Sequence, residues 1–234
     1  SLDNLKHFYD RGIRYITLAH SLSNHISDSS YSTERPWQGL SPFGKKLITE
    51  MNNMGIMIDI SHVSDQAFYQ TVELSKVPVI ASHSSLRFFT PGFERNMSDD
   101  MIKALKKNGG VVQINFGSSF VTEEANKYRD KVKASVAKFM AEKNITDKED
   151  AAVVAFEKAY KEKDPFPFAN TANVVDHIDR AVKIAGIDHV GIGSDYDGVG
   201  DSLPTGLKDV STFPNLIQEL LDRKYSEADI EKLM

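Results

Sequence analysis

The sequence has no cysteine among its 234 residues. That excludes disulfides, thiolate metal sites and a cysteine nucleophile together. It leaves the compartment open between cytoplasm and periplasm or export, because exported proteins can also lack cysteine. No apolar run approaches the roughly 20 residues of a membrane-spanning helix, so no transmembrane segment is expected. Positive charge is also short: 28 Lys and Arg against 33 Asp and Glu give a net charge of −5. No basic stretch reads as a phosphate footprint, so nucleic acid is not an expected partner. No glycine-rich phosphate loop follows any apolar run, which disfavours a nucleotide-binding sheet.

What remains is ordinary globular material, 41% hydrophobic and 26% charged, with enough apolar residues for a sizeable core. Five short apolar runs stand out: "RYITLA" (14–19), "IMIDIS" (56–61), "VPVIAS" (77–82), "VVQINF" (111–116) and "VGIGS" (190–194). Short β-branched runs bounded by Gly or Pro predict buried strands. Helical stretches separate them and carry their own punctuation. Before "PFGKKLITEMNNMG", Ser41 can cap, Pro42 suits the first helical position and Gly55 suits the exit. Ser64 and Ser98 open two more helices in the same way. In the second, acids lie in the first turn and lysines precede the glycines, matching the helix dipole at both ends. Strand alternating with helix predicts a parallel sheet with crossover helices, as a (β/α) barrel or a doubly wound sheet.

Residues 121–165 break the rhythm. They are highly charged and rich in helix formers, which predicts one or two amphipathic helices inserted before the last strand, with the charges forming a solvated face. "FANTANVVDHIDRAVKIAG" then supplies the helix that precedes that strand.

Three of the seven histidines occupy one kind of position. His20, His62 and His83 each follow an apolar run, and Asn115 and Asp195 lie at the ends of two others. In a (β/α) barrel the C-terminal strand ends converge on one mouth, where functional residues gather. Three imidazoles and a carboxylate on such a rim are the donors that suit zinc and its neighbours. His7, His25, His177 and His189 fall in helices or loops and are read as structural. "GSDYDGVGDS" (193–202) is not a calcium loop, because Gly206 stands where an EF-hand needs its bidentate Glu. Its better reading is a strand ending at Asp195, followed by an Asp197-Gly198 turn. Arg95, in "GFERNMSDD", offers a planar guanidinium suited to a carboxylate.

These segments resemble the membrane (renal) dipeptidase family of binuclear zinc dipeptidases. "RYITLAHS", "GLSPFGKKLITEMNNMGIMIDISHVS", "VPVIASHSS", "ERNMSDD", "HVGIGSDYDGV" and "FPNLIQELLDRKYSEADIEKLM" look like that family's segments, in the same order. The resemblance implies an α/β (β/α)8 TIM-barrel type fold with two zinc ions, bridged by a glutamate and a water or hydroxide. It implies hydrolysis of dipeptides by attack of that metal-bound hydroxide on the peptide carbonyl. His62 and His83 are similar to the two histidines on one zinc, and His20 to the histidine that stabilises the tetrahedral intermediate. Arg95 resembles the residue that binds the substrate's free carboxylate. Asp195 resembles the acid near the bridging water and the substrate's amino end.

The other zinc ligands of that family, a His-x-Asp pair and the bridging Glu, have no counterpart in this sequence. Five strand runs are visible where the barrel needs eight. The expectation is therefore one partial barrel domain over residues 1–234, carrying strands four to eight, with the 121–165 insertion within it. Two histidines fall short of the three protein ligands usual at a catalytic zinc, so these residues alone are expected to be inactive. The expected partners are a small dipeptide and, as an option, a second copy in a homodimer. Two alternatives stand beside this reading. One is another amidohydrolase-type barrel, which the lack of lysine in all five strand runs opposes. The other is a non-catalytic binding barrel, which predicts damaged ligand positions where this sequence has intact ones.

Overall fold

A computed structural model describes residues 1–234. In chain order the elements are α1 (Asp3–Asp10), β1 (Tyr15–Thr17), α2 (Pro42–Met54), β2 (Met57–Asp59), α3 (Asp65–Leu74), β3 (Ile80–Ala81), α4 (Asp99–Asn108), β4 (Val111–Ile114), α5 (Ser118–Val121), α6 (Glu123–Lys143), α7 (Ala151–Lys163), α8 (Thr171–Ala185), β5 (Val190–Ile192), α9 (Phe213–Asp222) and α10 (Glu227–Leu233).

The five strands form one parallel sheet in the order β1-β2-β3-β4-β5. That sequential order is the order of strands around a (β/α) barrel. A doubly wound sheet would reverse direction partway along its edge. The strands fall within the five apolar runs read from sequence, and the caps are where the sequence puts them. Ser41, Ser64 and Ser98 each accept a backbone N–H three residues on. Gly55 and Gly109 close α2 and α4 in the left-handed conformation, which glycine adopts without steric cost.

Strand residues alternate between two environments. Ile58, Val112 and Ile114 are fully buried and lie in the helix-packed core with Ile48, Met51, Phe68, Ile102, Leu105 and Ile178. Burying each such side chain contributes about 1.5–3 kcal/mol, so helix packing rather than the two-to-four-residue strands carries the fold. The other face holds Tyr15 and Met57, which are 51% and 43% exposed.

The 121–165 stretch folds as two helices. Only the first half of α6 packs inward, through Ala125, Tyr128 and Val132. Further out, α6 and α7 meet through stacked Phe139 and Phe156 rings, 4.3 Å apart at 8°. This explains the charged composition: most of both helices faces water.

His177 on α8 is a buried fastener. Its Nδ1 accepts from the Leu86 N–H at 3.0 Å, so its proton is on Nε2, which donates to the Val121 carbonyl at 2.9 Å. It thereby ties α8 to the segment after β3 and to the end of α5. Burial pushes its pKa down to about 4 from 6.5. A histidine neutral in the fold but protonated when unfolded withdraws stability as pH falls from about 6.5 towards 4, by about 3 kcal/mol in all. We expect His177→Gln to lose about 2 kcal/mol at pH 7. Urea denaturation should show the gap to wild type closing near about pH 5 and reversing by about pH 4; a gap independent of pH would refute the assignment.

Candidate active site

The loops after the strands build one cavity of about 690 Å3. His20, His62, His83 and Asp195 all line it, so four of the residues singled out in the sequence come together. The His62 and His83 Nε2 atoms lie 2.8 Å apart. The His20 ring stacks on His62 with centroids 4.1 Å apart, and its Nδ1 lies 2.8 Å from Ser21 Oγ. His20 therefore stands beside the imidazole pair, not within a three-histidine cluster.

The polar residues around the histidines explain the recurring Ser-His pattern. Asp59, at the end of β2, is fully buried. Its carboxylate accepts from Thr17 Oγ1 at 2.6 Å, Ser82 Oγ at 2.6 Å, and the Ser61 and Ser82 N–H groups at 3.0 Å each. Because the Ser82 hydroxyl donates to Asp59, it can only accept from His83 Nδ1, 2.7 Å away. That fixes the His83 proton on Nδ1 and leaves the Nε2 lone pair facing His62. Ser61 Oγ accepts the His83 backbone N–H at 3.1 Å. Burial is the main cause that holds both imidazoles neutral, with the Arg95 charge second; His83 is pushed below its ordinary value and His62 down to about 2.

Neutral imidazole is the form that binds a cation. Two nitrogens on one tetrahedral zinc stand about 3.3 Å apart at ordinary bond lengths, so the pair needs only a small spread to grip one. His62 Nδ1 is buried without a partner; with Nε2 turned to His83 as the metal-binding nitrogen, Nδ1 would carry the ring proton. No group of three or more His, Cys, Asp or Glu side chains within the chain could hold a metal. The residues present thus fit part of a metal's coordination sphere in donor type, tautomer and spacing, and two is the number they supply.

Asp195 adopts φ +59° and His62 φ +71°. Left-handed backbone is costly for any residue with a Cβ, about 1 kcal/mol or more, and here it aims both side chains into the cavity. Asn115, fully buried, donates from Nδ2 to Asp195 Oδ2 at 2.8 Å and accepts the Gly117 N–H at 2.7 Å. A Cβ at Gly198 would sit 2.1 Å from Asp195 Oδ1, so that glycine makes room for the carboxylate.

Arg95, expected from the sequence to bind a carboxylate, lies behind the cavity wall. It is 3% exposed and is not among the cavity-lining residues. Nη1 donates to Ser84 Oγ at 2.8 Å and Nη2 to the His83 carbonyl at 2.7 Å, while Nε has no partner. Burial lowers its pKa to about 10, so it carries its charge at neutral pH from behind the His83 backbone.

Several lining residues escaped the sequence reading. Tyr31, in the long connection between β1 and α2, lies 6.0 Å from the His62 ring and 6.1 Å from Phe93. Asp28, buried in the same connection, accepts the Gly39 N–H at 2.9 Å and helps hold that loop. A bidentate Arg35–Glu94 pair (2.7 and 2.5 Å) ties it to the loop carrying Arg95. Ala125, Asn126 and Arg129 reach the wall from α6. The charged stretch is therefore not wholly a solvated face. Asp59 did leave a sequence signal, an acid inside an apolar strand run, where a charge needs a buried purpose.

With this geometry in view, comparison with known proteins becomes informative. The membrane dipeptidase family (peptidase family M19) matches residues 1–234, and the chain belongs to that family. It is 37% identical over 237 residues to an uncharacterized dipeptidase of Schizosaccharomyces pombe, covering 100% of this chain and 47% of that protein. Among solved structures, the probable dipeptidase PvdM from Pseudomonas aeruginosa superposes with a TM-score of 0.82 at 31% identity, over 100% of this chain and 62% of that one. A metallopeptidase from Rhodobacter sphaeroides, solved with a phosphinate mimic of the dipeptide L-Ala-D-Ala, gives 0.73 at 26%, over 99% and 55%. The fold is thus α/β of the TIM-barrel type. The chain spans about half the length of the curated relatives it matches.

The end of β5 packs too closely for any side chain at position 193, where a Cβ would meet the Ser82 carbonyl oxygen at 2.1 Å. Backbone cannot yield as a flexible side chain would, so Gly193→Ala should cost about 1–3 kcal/mol. Denaturant unfolding measures this, and an unchanged midpoint would contradict the close approach.

Proposed function

We propose that the protein is a zinc-dependent dipeptidase whose metal is held in part by His62 and His83. The observation that carries this is the 2.8 Å approach of their Nε2 atoms on the wall of a cavity shared with His20 and Asp195. Family membership supports a metallopeptidase, and the phosphinate dipeptide mimic bound to the Rhodobacter relative supports the substrate class. The reading includes two zinc ions in a complete site; two imidazoles are fewer than a catalytic zinc ordinarily takes from protein, so tight binding requires further donors.

Zinc at this position would polarise the peptide carbonyl and bring the pKa of a water towards about 7. The remaining roles belong to the chain's own side chains. A Ser21 hydroxyl donating to His20 Nδ1 leaves the proton on Nε2, which can donate to the carbonyl oxygen as it gains charge. Asp195, oriented by Asn115, accepts the proton released on attack and returns it to the leaving amine. Its negative charge also attracts the substrate's free amino group. Arg95 contributes positive potential for the terminal carboxylate from behind His83, where it lies buried outside the cavity lining.

Two measurements test this. The native full-length protein supplied with zinc should hydrolyse unblocked dipeptides, and a chelator should abolish turnover. Asp195→Asn should lower kcat/KM by about 10²–10⁴. No turnover of any unblocked dipeptide, with chelator-sensitive zinc bound, would refute the reading. Separately, Ser82→Ala removes the acceptor that fixes the His83 tautomer, and should weaken zinc binding by about 10–100-fold. Competition against a chromogenic chelator reads that affinity; an unchanged value would remove Ser82 from the metal's support.

A further inference from the structure

We propose that Arg129 is a specificity-determining residue that makes the cavity prefer dipeptides with an acidic side chain in the carboxyl-terminal residue. This rests on the dipeptidase reading and deepens it.

The first observation is where α6 puts Arg129. Ala125, Tyr128 and Val132 bury one stripe of the helix. Tyr128 Oη donates to the Asp164 carbonyl at 2.7 Å, and Asn126 Nδ2 to the Ser119 carbonyl at 2.8 Å. These contacts fix the rotation of the helix. Arg129 lies four residues after Ala125 and three after Asn126, so helical spacing sets all three on one flank. That flank lines the cavity.

The second observation is that Arg129 has no acidic partner. Its neighbours on α6 do: Lys127 pairs with Glu123, Lys131 with Asp164 at 2.6 Å and Lys138 with Glu142 at 3.9 Å. Arg129 has no carboxylate three or four residues away on its helix. Lys133 is also unpaired, but it does not reach the cavity. Apart from the histidines, Arg129 and Asp195 are the charged residues of the lining.

Charge and space then divide the cavity. Asp195 draws the amino end of a dipeptide. Arg95 is buried and lies outside the cavity lining, and its charge serves one carboxylate at most. Arg129 is left free for a second. Arg129 is itself exposed, so it offers a charge-assisted pair at the open edge of the cavity, on the wall that Phe120 and Phe166 also line. The volume of about 690 Å3 leaves room for a side chain beyond a dipeptide backbone.

The test uses three non-hydrolysable phosphinate dipeptide isosteres carrying Ala, Gln or Glu in the second position. Calorimetry gives their affinities for the native full-length protein with zinc, and for Arg129→Gln and Arg129→Lys. Wild type should bind the Glu probe about fivefold more tightly than the Gln probe, a gap of about 1 kcal/mol. It should narrow at high salt. Arg129→Gln should erase the gap, with far smaller losses for the Ala and Gln probes, and Arg129→Lys should restore part of it. Equal affinity of wild type for the Glu and Gln probes overturns the proposal alone. So does an equal loss of all three probes in Arg129→Gln. Failure of all three probes to bind wild type overturns the dipeptidase reading and this inference with it.

Discussion

The Asp59 carboxylate holds the site together. It takes four hydrogen bonds from three successive strand ends: Thr17 on β1, Ser61 after β2 and Ser82 after β3. Strands of two to four residues have few ladder bonds with which to fix their own ends. A buried carboxylate shared between them supplies the missing constraint, and its desolvation is offset by four donors. From it the order passes outward: Ser82 sets the His83 tautomer, Ser61 holds the His83 backbone, and Ser84 holds Arg95. The small polar residues beside each histidine are the scaffold of the imidazole pair.

Charge is arranged around that scaffold in depth. Arg95 lies behind the His83 backbone and helps keep the imidazoles neutral, so their lone pairs stay available. Asp195 stands across the cavity, oriented by a buried asparagine. The aromatic side chains Tyr31, Phe93, Phe120 and Phe166 come from loops and helix ends outside the sheet. The sheet positions the chemistry, and the surrounding segments shape what can enter. This is the division of labour that barrel enzymes generally show.

Much of this was legible in the sequence because its causes are local. A serine three residues ahead of a backbone N–H caps a helix wherever the chain goes, and Ser41, Ser64 and Ser98 do so. Apolar runs ending in His20, His62 and His83 announce strand ends at a rim. Other features are set by packing between distant segments and leave no local trace. Nothing near Arg95 reveals that Ser84 and the His83 carbonyl occupy it. Nothing in the charged run of α6 separates Arg129 from the lysines beside it, because the rotation of that helix is decided by Tyr128 reaching Asp164 and by Asn126 reaching Ser119. The aromatic wall is invisible for the same reason.

The left-handed backbone at His62 and Asp195 ties two selective pressures to the same pair of residues. At each, glycine or asparagine would relax the chain while deleting the imidazole or carboxylate for which a role is proposed above. Selection for robustness alone would therefore favour losing these two side chains first, so the strained backbone makes the proposed centre the place where stability and the proposed turnover are set against each other.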